Sequence, residues 1–233
     1  MGQLIFNLSG AAALGRADFF VTASNEAAAG WIDRWPAWPA PALVLYGPRG
    51  SGKTHLAELW CARAAARAIR GPRLDQARLR HLLENGARRI AVDDADRAGE
   101  PALLHLFNAC HEDRGSLLLT ARAPPTRWPT TLADLASRLR ASYCVGIAEP
   151  DDALFAAVLV KHFADRQVRV SAKVIAYLGR HLDRSLGEAA AVAAALDAAA
   201  LRDGTAITVP LVRRVLAERS AYSRSAGSEP TVT

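Results

Sequence analysis

The stretch Gly47-Pro-Arg-Gly-Ser-Gly-Lys-Thr54 decides the fold, because it fits the pattern G-x-x-x-x-G-K-[ST], in which a glycine-rich turn wraps around a phosphate group. The apolar run 42–46 precedes this turn, and an alanine-rich helix is predicted after it, over 54–68. In this order of strand, turn and helix, inward-pointing amides and a helix N-terminus can hold a phosphate. We therefore predict a nucleotide site here rather than a glycine-rich turn without a ligand.

Each part of this turn has a role in the predicted site. The glycines let the backbone curve so that its amides point inward, Lys53 brings a compact positive charge, and the Thr54 hydroxyl can bind Mg²⁺. The candidate nucleotide-binding residues of the turn are therefore Gly47, Pro48, Arg49, Gly50, Ser51, Gly52, Lys53 and Thr54.

A second apolar run ends in two neighbouring carboxylates. The run 89–93 closes with Asp93, and Asp94 follows directly. Downstream of a phosphate-binding turn, the first carboxylate of such a pair is expected to hold Mg²⁺ through water, and the second position often carries a glutamate that orients the attacking water. We assign the first role to Asp93. Asp94 is a candidate catalytic residue, but its side chain is shorter than that of glutamate and predicts slow hydrolysis.

Strands and helices alternate up to Pro150, and helices alone follow. The predicted strands cover 42–46, 89–93, 116–120 and 143–147. A further strand within 69–74 stays open, because Gly71 and Pro72 interrupt it. The helices between the later strands cover 76–84 and 101–112. This alternation predicts an α/β fold with a parallel sheet sandwiched by helices. The helices of a small all-helical lid are predicted over 151–164, 171–181, 184–202 and 208–219.

Composition and charge exclude several classes of protein. The chain has 233 residues, 51% hydrophobic and 22% charged, which predicts a folded globular protein. No apolar run approaches the roughly 20 residues of a membrane span, and no secretory signal is found at the start. The net charge is +6, but the arginines are scattered and a GC-rich genome accounts for their number. Three widely spaced cysteines fit neither a disulfide framework nor a metal site. We therefore expect a cytoplasmic protein that contacts no membrane and has no metal except one carried by a nucleotide.

Two arginines are candidate functional residues. Arg138 lies just before the last predicted strand, where an arginine can project into a neighbouring subunit's nucleotide, and a surface helix arginine is the alternative. Arg184 begins a lid helix and can reach back to the phosphates, or it can pair locally with Asp183.

The phosphate-binding turn, the paired carboxylates, Arg138 and Arg184 together resemble the AAA+ ATPases, and more closely the DnaA/Hda family of replication proteins. The chain is most similar to the alphaproteobacterial form of the Hda group, which acts in regulatory inactivation of DnaA. This resemblance implies a regulator of replication initiation that binds ADP or ATP with Mg²⁺ and stimulates hydrolysis of DnaA-bound ATP in trans through Arg138. It also implies that the protein's own ATPase activity is weak or absent. The resemblance leaves open whether the chain forms a homodimer.

Two segments before the turn extend the resemblance. Residues 3–8 resemble the Q-L-x-[L/F]-x-L peptide with which Hda proteins dock on the DNA polymerase sliding clamp, and an N-terminal edge strand is the alternative. The clamp-binding candidates are Gln3, Leu4, Phe6 and Leu8. Residues 18–25 resemble the segment that packs the adenine in DnaA relatives, and plain core packing is the alternative. The candidates there are Phe20, Val21 and Asn25.

The resemblance also implies a domain organisation. The expected parts are a clamp-binding arm over 1–15, a nucleotide-binding ATPase domain over 16–149, a helical lid over 150–219 and a disordered tail over 220–233. Because the chain ends after the lid, we expect no counterpart of the helix-turn-helix domain of DnaA. Contact with DNA is therefore expected to be mainly indirect, through the clamp.

Departures from the DnaA pattern leave rival functions open. Thr120 is followed by Ala121 and Arg122, where a polar Asn or Asp commonly senses the γ-phosphate, and Asp134 replaces an additional arginine of DnaA. These changes argue against vigorous self-hydrolysis and against ATP-dependent self-assembly. One rival is a self-sufficient AAA+ ATPase or helicase-loader-like remodeller, which would turn over without a partner. The other is a nucleotide-gated clamp adaptor in which Arg138 is structural.

Overall fold

The computed structural model describes residues 19–226, with side chains described up to residue 221. The predicted clamp-binding residues Gln3, Leu4, Phe6 and Leu8 lie outside this range. The described chain forms two compact units, which divide between Asp151 and Asp152, close to the boundary predicted at Pro150. Within residues 19–226, no helix combines the length and the apolar character needed to span a bilayer.

The first unit contains a five-stranded parallel sheet. Its strands are β1 (Ala42–Tyr46), β2 (Arg67–Arg70), β3 (Arg89–Asp93), β4 (Ser116–Ala121) and β5 (Tyr143–Gly146). They lie in the order β2-β3-β4-β1-β5. The central strands β1, β3 and β4 are almost continuously apolar and buried, as expected of a parallel sheet covered on both faces. The predicted α/β fold is thereby confirmed.

Helices cover both faces of this sheet. They are α1 (Glu26–Arg34), α2 (Lys53–Ala64), α3 (Gln76–Glu84), α4 (Glu100–Glu112) and α5 (Ala133–Ala141). On one face, α3, α4 and α5 pack on a buried cluster that includes Val44. On the other face, α1 and α2 pack on a cluster that includes Leu43, Leu45 and Trp60. Successive residues of β1 thus point to opposite cores, because side chains alternate along a strand.

The helix after the phosphate-binding turn is shorter than predicted. The sequence predicts it over 54–68, but α2 ends at Ala64, and Ala65 takes a left-handed conformation at φ 49°. Alanine-rich composition favours a helix, but pairing with β3 makes Arg67–Arg70 the edge strand β2. The strand left open within 69–74 thus lies earlier and ends before Gly71.

The second unit consists of four helices. They are α6 (Asp152–Asp165), α7 (Ala172–His181), α8 (Leu186–Asp203) and α9 (Val209–Ala226). Buried aromatic and aliphatic side chains form their common core, among them Phe155, Phe163 and Leu196. This arrangement confirms the predicted helical lid. Ser185 caps α8 through the Glu188 amide at 3.4 Å, so this helix begins after Arg184, not at it.

The last helix also differs from its prediction. A disordered tail was expected from residue 220, but α9 continues to Ala226. Residues 220–226 contain neither glycine nor proline, so nothing in the local sequence ends the helix before Gly227. Residues 220–226 of the segment expected to be disordered thus belong to α9, and the remaining residues lie outside the described range.

Candidate nucleotide-binding site

The phosphate-binding turn connects β1 to α2 and depends on its glycines. Gly50 and Gly52 have φ angles of 76° and 93°, a left-handed conformation that other residues adopt at a cost. Gly47 lies against the residue that follows β5, because a Cβ atom on Gly47 would stand 2.2 Å from the carbonyl oxygen of Ile147. Helix α2 begins at Lys53 without a side-chain cap, so its first backbone amides remain available to an anion.

The Lys53 side chain crosses this turn. It is 8% exposed, and its Nζ donates to the carbonyl oxygens of Gly47 and Pro48 at 2.8 and 2.6 Å. Burial lowers the pKa of Lys53 below its ordinary value, and the negative charges of Asp93 and Asp94 oppose this shift. The turn therefore holds a cation on its own carbonyl oxygens, where the sequence predicts that phosphates bind.

The carboxylate of Asp93 is oriented by two hydroxyl groups. Thr54 Oγ1 donates to Asp93 Oδ1 at 3.0 Å, and Thr120 Oγ1 donates to the same oxygen at 2.6 Å. Hydroxyl and carboxylate oxygens are ligands that Mg²⁺ prefers, and its protein sites commonly combine one or two carboxylates with phosphate oxygens. Thr54 and Asp93 therefore fit the Mg²⁺ site that the sequence predicts.

Thr120 is a site residue that sequence reasoning missed. It is 1% exposed near the end of β4, and its hydroxyl also accepts the backbone N–H of Asp94 at 3.1 Å. Adjacent parallel strands end at the same sheet edge, and β3 and β4 are neighbours. A threonine at the end of an apolar strand was the available signal. The local sequence does not show that β4 lies beside β3, so the contact between Thr120 and Asp93 could not be predicted.

Asp94 is held by an arginine from the edge strand. Arg70, the last residue of β2, donates from Nη2 to Asp94 Oδ2 at 2.8 Å. The backbone of Asp94 is in the left-handed conformation, with φ 55°. Gly71 lies so close to it that a Cβ atom on Gly71 would stand 2.1 Å from the Asp94 carbonyl oxygen. The carboxylate predicted to orient water is thus engaged by a cation of the same chain.

Arg122 follows β4 at this same edge of the sheet. Its backbone N–H donates to Asp96 Oδ2 at 3.3 Å, and its side chain is exposed. The positive charge of Arg122 contributes to the lowered pKa of Lys53. Arg122, which stands where a polar Asn or Asp commonly senses the γ-phosphate, therefore adds positive charge close to the phosphate-binding turn.

The predicted adenine segment lies beside the start of α2. Asn25 is 3% exposed, and its side chain accepts the Thr22 amide at 2.9 Å and donates to the Phe20 carbonyl at 3.0 Å. The Asn25 side chain therefore uses both its oxygen and its nitrogen to hold the conformation of its own loop, residues 20–25. Val21 is exposed and Phe20 is half-buried, so these two keep surface that a base could contact. The Phe19 ring lies 5.5 Å from that of His55, which places the segment next to the phosphate-binding turn.

The two predicted arginines belong to different units. Arg138 lies on α5, partly exposed, on a helix anchored by buried Leu135 and Leu139. Within residues 19–226, no carboxylate or carbonyl group pairs with its guanidinium. Arg184 pairs with Asp152 of the same helical unit at 2.8 Å, so its ion-pair partner is not the neighbouring Asp183.

Comparisons with known proteins agree with this architecture. The family model described as the Hda lid domain matches residues 152–216. Domain III of the replication initiation protein DnaA from Thermotoga maritima is similar with a TM-score of 0.75 and 16% identity, over 88% of this chain and 96% of that chain. AMPPCP-bound DnaA from Aquifex aeolicus is similar with a TM-score of 0.58 and 19% identity, over 73% of this chain and 61% of that chain. The RuvB Holliday junction branch migration motor from Thermotoga maritima is similar with a TM-score of 0.63 and 15% identity, over 75% of this chain and 60% of that chain.

The similar structures and the family model cover different parts of the molecule. At these low identities the solved structures establish the fold, and the family model covers residues 152–216 of the helical unit. The phosphate-binding turn and the Asp93 carboxylate lie at the carboxyl ends of parallel strands, where ligands commonly bind in sheets of this kind. Residues 152–216 therefore match the Hda lid domain, and most of the chain has the fold of DnaA domain III.

Proposed function

We propose that this chain is a nucleotide-binding regulator of replication initiation that lends Arg138 to ATP held by DnaA. The Hda-type lid and the fold of DnaA domain III support a DnaA-related replication regulator. The observation that carries the proposal is the match of residues 152–216 to the Hda lid domain. The sequence prediction then selects Arg138, which stands half-buried on α5 and has no side-chain partner in the described part of the chain. The closer likeness to the alphaproteobacterial form of Hda stays a prediction from the sequence.

In this proposal the chain binds ADP or ATP at its own phosphate-binding turn. The inward amides, the N-terminus of α2 and Lys53 would hold the phosphates. Bound together with the nucleotide, Mg²⁺ would neutralise part of the phosphate charge, and Thr54 and Asp93 would hold it. The base is proposed to contact Phe20 and Val21, in the loop that Asn25 shapes. That Arg184 reports on the bound nucleotide stays a prediction.

Lending a guanidinium to another protein requires positioning rather than covalent chemistry. Phosphoryl transfer is accelerated by charge placed where it develops in the transition state, and an arginine supplied in trans contributes about 10³ to 10⁵ in rate. The guanidinium stays charged at physiological pH and presents several donors in one plane. The test is phosphate release from DnaA-bound ATP, which we expect the wild-type chain to accelerate and an Arg138→Ala variant not to accelerate.

The chain's own hydrolysis is proposed to be slow because Arg70 holds the Asp94 carboxylate. We expect Arg70→Ala to raise the phosphate release of the isolated chain with ATP and Mg²⁺ by about tenfold, since a freed carboxylate can orient water. Arg67→Ala, at the exposed start of the same strand, is the matched control and should leave the rate unchanged. An Arg70→Ala rate equal to that of the wild type would show that this ion pair does not restrain Asp94.

Docking on the sliding clamp is proposed for the peptide 3–8. Replacing Gln3 and Leu4 together with alanine should lower clamp affinity at least about tenfold, because a glutamine hydrogen bond and an apolar anchor are both lost. Surface plasmon resonance on immobilised clamp measures this, with Asn7→Ala as the control within the same peptide. Nucleotide affinity should not change. If the double variant binds the clamp as tightly as the wild type, another surface makes the contact.

A further inference from the structure

The N-terminus of α5 is capped by a carboxylate from another helix. Leu132 stands at the N-cap position of α5 and provides no side-chain acceptor. Glu100, the first residue of α4, instead brings a carboxylate to this end of the helix. Its carboxylate accepts the backbone N–H of Leu132 at 2.8 Å and that of Thr131 at 3.0 Å, and it also accepts the Thr131 hydroxyl at 3.0 Å.

This arrangement binds one orphan amide of α5, that of the N-cap residue Leu132, and places a negative charge near the start of the helix. The first amides of a helix have no partner within it, and a negative charge near them is favoured by the helix dipole. The backbone hydrogen bonds from Thr131 and Leu132 hold the pKa of Glu100 below its usual value. Glu100 therefore remains the charged acceptor that this position requires at neutral pH.

The same carboxylate links the arginine-bearing helix to the nucleotide site. After Asp93 and Asp94 the chain makes a short turn over Ala95–Arg97 and then begins α4 at Glu100. Helix α4 packs on α5 within one buried cluster, so the two helices already share their long sides. Apolar packing of this kind tolerates small sliding, whereas hydrogen bonds to two successive amides fix the start of α5.

We propose that Glu100 is a positioning residue that holds α5 so that Arg138 reaches the partner's ATP. This inference rests on the proposed function, since it assigns Glu100 a role in presenting that guanidinium. A misplacement of about 1 Å in a catalytic constellation can lower a rate about 100-fold. The carboxylate is expected to matter for the rate of stimulated hydrolysis and not for nucleotide binding by this chain.

The test titrates the full chain against ATP-loaded DnaA, with clamp and DNA present, and fits both the maximal rate and the midpoint. Glu100→Gln keeps the side-chain size but replaces one acceptor by a donor. We expect its maximal rate to fall about 10- to 100-fold. A lower fraction of folded protein would instead shift the midpoint and leave the maximal rate intact, so the two effects separate. Glu112→Gln, at the exposed end of the same helix, is the control and should match the wild type.

Nuclear magnetic resonance supplies a readout that is independent of DnaA. The amide protons of Thr131 and Leu132 should move upfield in Glu100→Gln, because they lose a charged acceptor. A maximal rate equal to that of the wild type in Glu100→Gln, with Arg138→Ala inactive, would overturn the role of Glu100 alone. Wild-type rates in both variants would overturn the proposed function and this inference with it.

Discussion

An Arg138→Ala variant is expected to lose the stimulation of ATP hydrolysis on DnaA by about 10³-fold or more. The reason is that the guanidinium supplies charge only in the transition state, and Arg140, two residues further along α5, faces a different side of the helix. Leu135 and Leu139 anchor the helix and are untouched, so the fold should be retained. The measurement is the release of phosphate from ATP-loaded DnaA in the presence of clamp and DNA.

Arg140 provides the matched control for this variant. It lies on the same helix, is exposed, and has no ion-pair partner within residues 19–226. Arg140→Ala removes the same charge and should keep nearly full stimulation. If Arg138→Ala stimulates ATP hydrolysis on DnaA as strongly as Arg140→Ala does, the role assigned to Arg138 is wrong. The result would then favour a nucleotide-gated clamp adaptor in which Arg138 is structural.

A Lys53→Ala variant is expected to bind ADP with Mg²⁺ about 10- to 100-fold more weakly than the wild type. Hydrogen bonds to charged groups are worth about 1.5 to 3 kcal/mol, and each 1.4 kcal/mol corresponds to a factor of ten in affinity. The variant also leaves the Gly47 and Pro48 carbonyl groups without the ammonium that they bind. Isothermal titration calorimetry measures the affinity directly.

Lys173, an exposed residue in the first turn of α7, gives the control for the loss of one lysine charge. Lys173→Ala should bind ADP as the wild type does. Equal affinities of the wild type and Lys53→Ala would mean that the turn 47–54 does not hold the phosphates. The proposed nucleotide site would then be wrong, whatever the effect of Arg138→Ala.

Local features of the site could be predicted from the sequence because each of them is formed by consecutive residues of one short motif. The turn 47–54 and the strand ending in Asp93 combine a recognisable spacing with apolar runs. The parallel sheet followed from the alternation of strands and helices. The predicted pair of Thr54 and Asp93 is brought together in the structure at 3.0 Å.

The contacts that modify the site could not be predicted, because they depend on the order of the strands. Arg70 reaches Asp94 only because the segment 67–70 forms an edge strand beside β3, where local alanine content favoured a helix. Thr120 reaches Asp93 because β4 lies on the other side of β3. Glu100 caps α5 across 32 positions of sequence, a distance at which no local pattern operates.

The most direct test of the central claim asks whose ATP is hydrolysed. In one reaction DnaA is loaded with ATP labelled on the γ-phosphate and this chain with unlabelled ADP, and in a second reaction the label is on ATP held by this chain. Clamp and DNA are present in both. We predict rapid single-turnover release from DnaA in the first reaction and slow release in the second. Slow release from DnaA with rapid release from this chain would contradict the claim and identify a self-sufficient ATPase.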